Sequence, residues 1–236
     1  MRVEDIVPSI RSSAYYMPRT SLICLENTHN KAGGTIYPFD EIKRISSFAR
    51  EGRLALHLDG ARIWNASVAT GISPKEYAQY FDTVSVCFSK GLGAPVGSAL
   101  AGPKELVEKA RKFRKVLGGG MRQAGIIAAG AFYALEHHVD RLKDDHEKAK
   151  VLARELAQIP GFEIDLEGVQ TNIVIIETGK TGKTPAQILE TLKAKRVLLT
   201  EMSHSAIRAV TASNINHVFS FYMWSYLLIY SLCSIF

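Results

Sequence analysis

The sequence predicts an α/β fold with a mainly parallel sheet, followed from about residue 140 by a smaller α+β part. Three observations carry this prediction. Short apolar runs alternate with segments of helical periodicity. The connections between the early apolar runs are long enough for crossover helices, as parallel pairing requires. The 236 residues, 47% hydrophobic and 22% charged, suffice for a main domain with a smaller companion.

LICLEN (22–27) reads as a buried strand, and THNKAGG as the polar loop after it. PFDEIKRISSFAREG reads as a helix with Ile42, Ile45, Phe48 and Ala49 on one face and Gly52 as its stop. LALHLDG (54–60) is a second strand, and ISPKEYAQYF a short helix opening at Pro74. TVSVCFSKG (83–91) is a third strand and GSALAG (97–102) a fourth. PKELVEKARKFRKVL carries Leu106, Ala110, Phe113 and Leu117 at helical spacing. GGGM interrupts it, and RQAGIIAAGAFYALEHHV resumes as an apolar helix. DRLKDDHEKAKVLARELAQI is an amphipathic helix ended by Pro160 and Gly161. FEIDL, TNIVIIET, RVLLTEM and AIRAVT then read as strands, with PAQILETLKAK as a helix among them. The expected domains are 1–139, 140–211 and a divergent apolar tail, 212–236.

The net charge of +6 has no zinc spacing, aromatic RNA-binding strand or basic run beside it, so nucleic acid is not an expected partner. The three cysteines, Cys24, Cys87 and Cys233, contain no CxxC, and their odd number argues against a disulfide framework. A cytoplasmic, reducing setting is expected, and no metal site. From Ala209 onward there is no Lys, Arg, Asp or Glu. The run VFSFYMWSYLLIYSLCSIF (218–236) is long enough to cross a membrane if helical, so membrane association is expected only through it.

In an open parallel sheet, ligands collect at the carboxyl ends of the strands. Three such ends carry polar groups: Glu26 to Asn30, Asp59 to Arg62, and Ser89 to Gly91. Singly, each has a structural explanation. An Asp before Gly forms turns, an Arg nearby pairs with it, a His in a loop is commonly only a loop residue, and Lys90 stays in water. Together they place an amine, a carboxylate, a guanidinium and an imidazole along one edge. Pyridoxal phosphate chemistry uses a lysine for the cofactor aldehyde and an Asp for the ring nitrogen. An arginine fork suits a substrate carboxylate.

LENTHNKAGG (25–34), LHLDGARIWNA (56–66), SKGLGAPVGSALAG (89–102) and RKVLGGGMRQAG (114–125) resemble threonine aldolases, which are pyridoxal-phosphate enzymes of the aspartate-aminotransferase fold. The resemblance runs from about Leu22 to Thr211. It implies a large domain of that fold, here incomplete. It also implies that Lys90 bonds the cofactor aldehyde and Asp59 holds the ring nitrogen, while Arg62 lies near the ring and the substrate carboxylate. Arg208 is implied to clamp the carboxylate, and His29 to act near the β-hydroxyl. Lys115 and Arg122 flank a glycine turn near the family's active site and subunit interface.

The implied reaction is cleavage of L-threonine or L-allo-threonine to glycine and acetaldehyde, in a homodimer or homotetramer. The alternatives are a β-eliminating lyase of the same fold and a non-catalytic, membrane-tethered pseudoenzyme. The family carries a longer N-terminal portion with a Ser-Gly-Thr phosphate loop and a ring-stacking histidine. MRVEDIVPSIRSSAYYMPRT contains neither. The expectation is therefore a chain without that portion, with an unrelated C-terminal tail, weak cofactor binding and uncovered apolar surface.

Overall fold

The computed structural model describes residues 1–11 and 14–213. The chain divides into two compact units. The first comprises Met1–Thr28 and Ile36–Val139; the second comprises His29–Thr35 and the chain from Asp140 on. The loop at 29–35 thus groups with the second unit although it interrupts the first in sequence. The apolar run at 218–236 lies outside the described residues. Among the described residues no helix is long and apolar enough to cross a membrane.

The first unit begins with a short helix, α1 (Val3–Ile6), and holds a four-stranded sheet of β1 (Leu22–Glu26), β2 (Ala55–Gly60), β3 (Thr83–Cys87) and β4 (Ser98–Ala101) in that order. β1, β2 and β3 are mutually parallel, and β4 runs antiparallel to β3. The connections explain this. A helix, α2 (Phe39–Glu51), joins β1 to β2, and α3 (Ile63–Thr70) with α4 (Pro74–Ala78) joins β2 to β3. Between β3 and β4 there is only a loop, which turns the chain back on itself.

Strand alternation sets the faces. Ile23, Leu25, Leu56, Leu58 and Val84 point to one side and pack with Ile42, Ile45 and Ala49 of α2, Ile63 and Ala66 of α3, and Tyr77 of α4. Cys24 and Asp59 alternate to the opposite side and are exposed. α1 is tied to α2 by Arg44, which binds both Glu4 and Glu41, and by the Val3 N–H donating to Glu41 Oε1 (2.9 Å).

α3 was not anticipated from the sequence. Its Ile, Val, Thr and Asn are weak helix formers, and DGAR reads locally as a turn. The helix follows Arg62 directly, buries Ile63, Asn65 and Ala66, and ends at Gly71, whose φ of 75° is left-handed. Two further helices, α5 (Lys104–Val116) and α6 (Gly125–His137), form where their spacing predicts. α5 buries no residue and α6 only Ala134, so Phe113, Ile126 and Phe132 are exposed.

In the second unit, α7 (Leu142–Leu156) and α8 (Pro185–Ala194) pack on an antiparallel sheet. Its strands are β5 (Ile173–Glu177), β6 (Thr200–Glu201) and β7 (Ala206–Val210), in the order β5, β7, β6. Ala149, Ala153 and Leu156 of α7 and Ile188 and Leu192 of α8 meet Val174, Ile176, Ile207 and Ala209. α8 starts in a capping box: Thr184 accepts from the Gln187 N–H, and Gln187 returns a bond to the Thr184 N–H. FEIDL forms no strand. Only Glu163 bridges to Glu177, and the chain then turns between Asp165 and Gly168. RVLLTEM contributes only the two residues of β6.

α7 carries two buried polar side chains, Asp145 (1% exposed) and His146 (4% exposed). Burial raises the Asp145 carboxyl above its usual range, opposed by Lys148 at 3.8 Å. Burial, with the nearby Lys150 cation, pushes His146 down from 6.5 to about 4. The unfolded chain therefore takes up a proton below pH 6.5 that the folded imidazole refuses until about pH 4. The His146 contribution to stability is whole above pH 6.5 and falls as pH drops through this window, whereas that of Asp145 changes in the opposite sense. In urea unfolding at pH 7 and pH 5, His146→Gln is expected to lose less stability on acidification than the wild type.

Candidate active site

The carboxyl edge of the first unit's sheet is built by register. Glu26 pairs with Asp59, and Asp59 with Ser85. Because Leu56 and Leu58 are committed to the core, Asp59 must face the other way. It is exposed, and its Oδ1 accepts the Ala61 N–H (3.0 Å), which fixes the carboxyl at the strand end. The strands are too close here for any side chain at residue 60: a Cβ on Gly60 would stand 2.8 Å from the Ser85 carbonyl oxygen. Arg62, half-buried, caps the start of α3.

Two residues later Trp64 reaches the next strand. Its indole N–H donates to the Cys87 carbonyl (3.0 Å), and its ring stacks on Phe88 at 6.4 Å. Phe88 opens the loop that carries Lys90. That loop is closed internally: the Phe88 N–H donates to Gly97 O, the Ala94 N–H to Phe88 O and the Gly93 N–H to Lys90 O. Leu92, 1% exposed, anchors it, and the His138 Nδ1–H donates to the Leu92 carbonyl (2.6 Å). The Lys90 side chain itself is exposed. Asp59, Arg62 and Lys90 therefore all stand at one edge of one sheet, on two neighbouring strand ends.

His29 and Arg208 lie in the second unit. The His29 loop is closed by the His29 N–H to Thr35 O and the Gly34 N–H to His29 O, both 2.9 Å. Thr171 donates its hydroxyl to the Gly34 carbonyl (2.7 Å), with room only for glycine there. The Ala32 N–H donates to His29 Nδ1 (3.1 Å), which puts the proton of the neutral imidazole on Nε2. Arg208, in β7, donates from Nη1 to Asn30 Oδ1 (2.9 Å) and from Nε to Thr200 Oγ1 (3.3 Å). The sequence reading missed Asn30; its place beside His29 in the same polar loop was the available signal.

Lys115 and Arg122 are exposed, near the end of α5 and just beyond the glycine turn. Among the described residues no group of three or more His, Cys, Asp or Glu side chains is arranged to hold a metal ion. Asn27 was also missed as a site residue. It is fully buried directly after β1, and its N–H donates to the Asp59 carbonyl (3.0 Å).

The model of the beta-eliminating lyase family matches residues 1–179. The chain belongs to this family. It is 42% identical over 221 residues to a protein of Arabidopsis thaliana assigned as a low-specificity L-threonine aldolase, covering 92% of this chain and 62% of that protein. It is 41% identical over 197 residues to the low specificity L-threonine aldolase of Escherichia coli strain K12, covering 84% of this chain and 57% of the relative. A crystal structure of a Listeria monocytogenes protein assigned as an L-allo-threonine aldolase superposes with a TM-score of 0.72 at 25% identity, over 91% of this chain and 59% of that one. The chain thus spans about 60% of the length of these family members.

The tight contact at Gly60 is directly testable. Backbone carbonyls cannot yield as side chains do, so Gly60→Ala is expected to destabilise the first unit by about 1–3 kcal/mol in urea unfolding. Gly125→Ala, where nothing lies within 4 Å of the added Cβ, is expected to be neutral or mildly stabilising.

Proposed function

We propose that the chain is part of a pyridoxal-phosphate-dependent carbon–carbon lyase. It cleaves L-threonine or L-allo-threonine to glycine and acetaldehyde. The observation that carries this reading is the placement of Asp59 and Lys90 at the ends of two neighbouring parallel strands of one sheet, each inside a motif that resembles the threonine aldolases.

The donor set fits the ring end of such a cofactor. Asp59 has one oxygen held by Ala61 and its carboxyl exposed, so it retains capacity for a ring N–H. Lys90 is an exposed amine on a loop closed by its own backbone bonds, which suits bonding to an aldehyde. For the phosphate, the proposed cations are Lys115 and Arg122. When bound, pyridoxal phosphate supplies an aldehyde for amines and a protonated ring that withdraws electrons from Cα.

The chain's own residues do the rest. Asp59 keeps the proton on the ring nitrogen. Arg62 and Arg208 are assigned to the substrate carboxylate, whose fixed direction sets which bond at Cα is aligned for cleavage. With Nδ1 engaged by Ala32, neutral His29 offers an Nε2–H toward the β-hydroxyl oxygen. To accept that group's proton as a base, it must first give up the Ala32 bond. Lys90 would hold the cofactor through its aldehyde carbon. A homodimer or homotetramer in the cytoplasm is the proposed setting.

Mixing the purified chain with pyridoxal phosphate is expected to give a visible absorbance band that Lys90→Ala lacks. Acetaldehyde and glycine, and not 2-oxobutanoate and ammonia, are the expected products from threonine. Asp59→Ala is expected to lower the rate by about 10²–10³-fold, as loss of one preorganised electrostatic partner does elsewhere. 2-Oxobutanoate would instead assign β-elimination, and no band at all would assign a non-catalytic protein.

A further inference from the structure

Asn27 is 0% exposed, and its neighbour Thr28 is 1% exposed. Both carry buried polar atoms, Asn27 Nδ2 and Thr28 Oγ1, for which the described residues provide no hydrogen-bond partner. A buried amide with an unmet donor is unfavourable, and an apolar residue of similar size would avoid the penalty. The side chain is therefore better explained by what its other atoms hold.

Those atoms make two bonds in the first unit. The Asn27 N–H donates to the Asp59 carbonyl (3.0 Å), continuing the β1–β2 ladder one step past Glu26. Asn27 Oδ1 accepts the Tyr37 N–H (3.0 Å), ten residues further along. One residue thus joins the two ends of the 28–36 segment, which contains His29, and fastens them to the backbone of Asp59. Tyr37 leads into Pro38, which precedes α2, so the far side of the junction is held by a core helix.

We infer that Asn27 is a positioning residue: its side chain closes the base of the His29 loop onto the Tyr37 N–H, and its backbone N–H ties that closure to the end of β2 at the Asp59 carbonyl. This rests on the function proposed above, but the clasp itself can be tested without it. Asn27 touches neither substrate nor cofactor in this assignment. It acts through Asp59 and through the loop.

The test compares N27A, which loses the Oδ1 acceptor, with T28V, which removes the other unpartnered polar atom in nearly the same shape and leaves Asn27 Oδ1 on the Tyr37 N–H. Two measurements are made on the full chain: backbone amide hydrogen exchange across 27–37, and the dissociation constant for pyridoxal phosphate. The clasp predicts faster exchange at Tyr37 and Asn27 in N27A and about 3–10-fold weaker cofactor binding, the range that one net hydrogen bond commands. T28V is expected to stay close to wild type in both.

Unchanged exchange in N27A overturns the inference, and so does a T28V as impaired as N27A, which would give the effect to disturbed packing at the strand end instead. Faster exchange with unchanged affinity overturns the positioning of Asp59, and an N27A that is globally unfolded by circular dichroism overturns a local role. A wild type that takes up no pyridoxal phosphate removes the proposed function, and the exchange measurement still decides the clasp.

Discussion

The parallel register of β1, β2 and β3 is the constraint on which the candidate site depends. Leu25, Leu58 and Val84 are claimed by the core beneath the sheet. Their neighbours Glu26, Asp59 and Ser85 are thereby forced into one row on the opposite face, at the strand ends. A slip of one residue in β2 would bury Asp59 and expose Leu58. The hydrophobic effect thus chooses the face that the carboxylate takes, and the Ala61 N–H then holds it at the strand end.

The loops convert that row into a site. Gly60 lets β2 and β3 approach closely, and Trp64 ties the carbonyl before the Lys90 loop to the helix that follows Arg62. The amine is held out in water by a loop whose own backbone bonds and buried Leu92 give it shape. In the second unit the same economy recurs, with Arg208 bonded to Asn30 in the loop that carries His29. With Nδ1 accepting the Ala32 N–H, the neutral ring of His29 carries its proton on Nε2.

Much of this was legible in the sequence because it is local. The alternation in LALHLDG fixes which residues of β2 face the core, and the apolar spacing of Ile42, Ile45 and Ala49 fixes the buried face of α2. The three-residue steps of DGAR place an Asp and an Arg at one turn. What was not legible depends on long-range partners. α3 forms from weak helix formers because Ile63 and Ala66 are buried against the sheet. FEIDL has strand composition but finds a partner only at Glu163. The bonds of Asn27 to Tyr37 and of Arg208 to Asn30 leave no trace in composition or periodicity, and the uncovered faces of α5 and α6 cannot be distinguished from covered ones by spacing.

One amine, Lys90, is set apart from the chain's other lysines by its place just past the strand end that neighbours that of Asp59. Borohydride reduction of the chain with pyridoxal phosphate, followed by peptide mapping, tests this most directly. The account predicts the pyridoxyl mass on the peptide containing Lys90 at substoichiometric cofactor, with the other lysines unlabelled. Labelling spread across the exposed lysines, with no preference for Lys90, would contradict it.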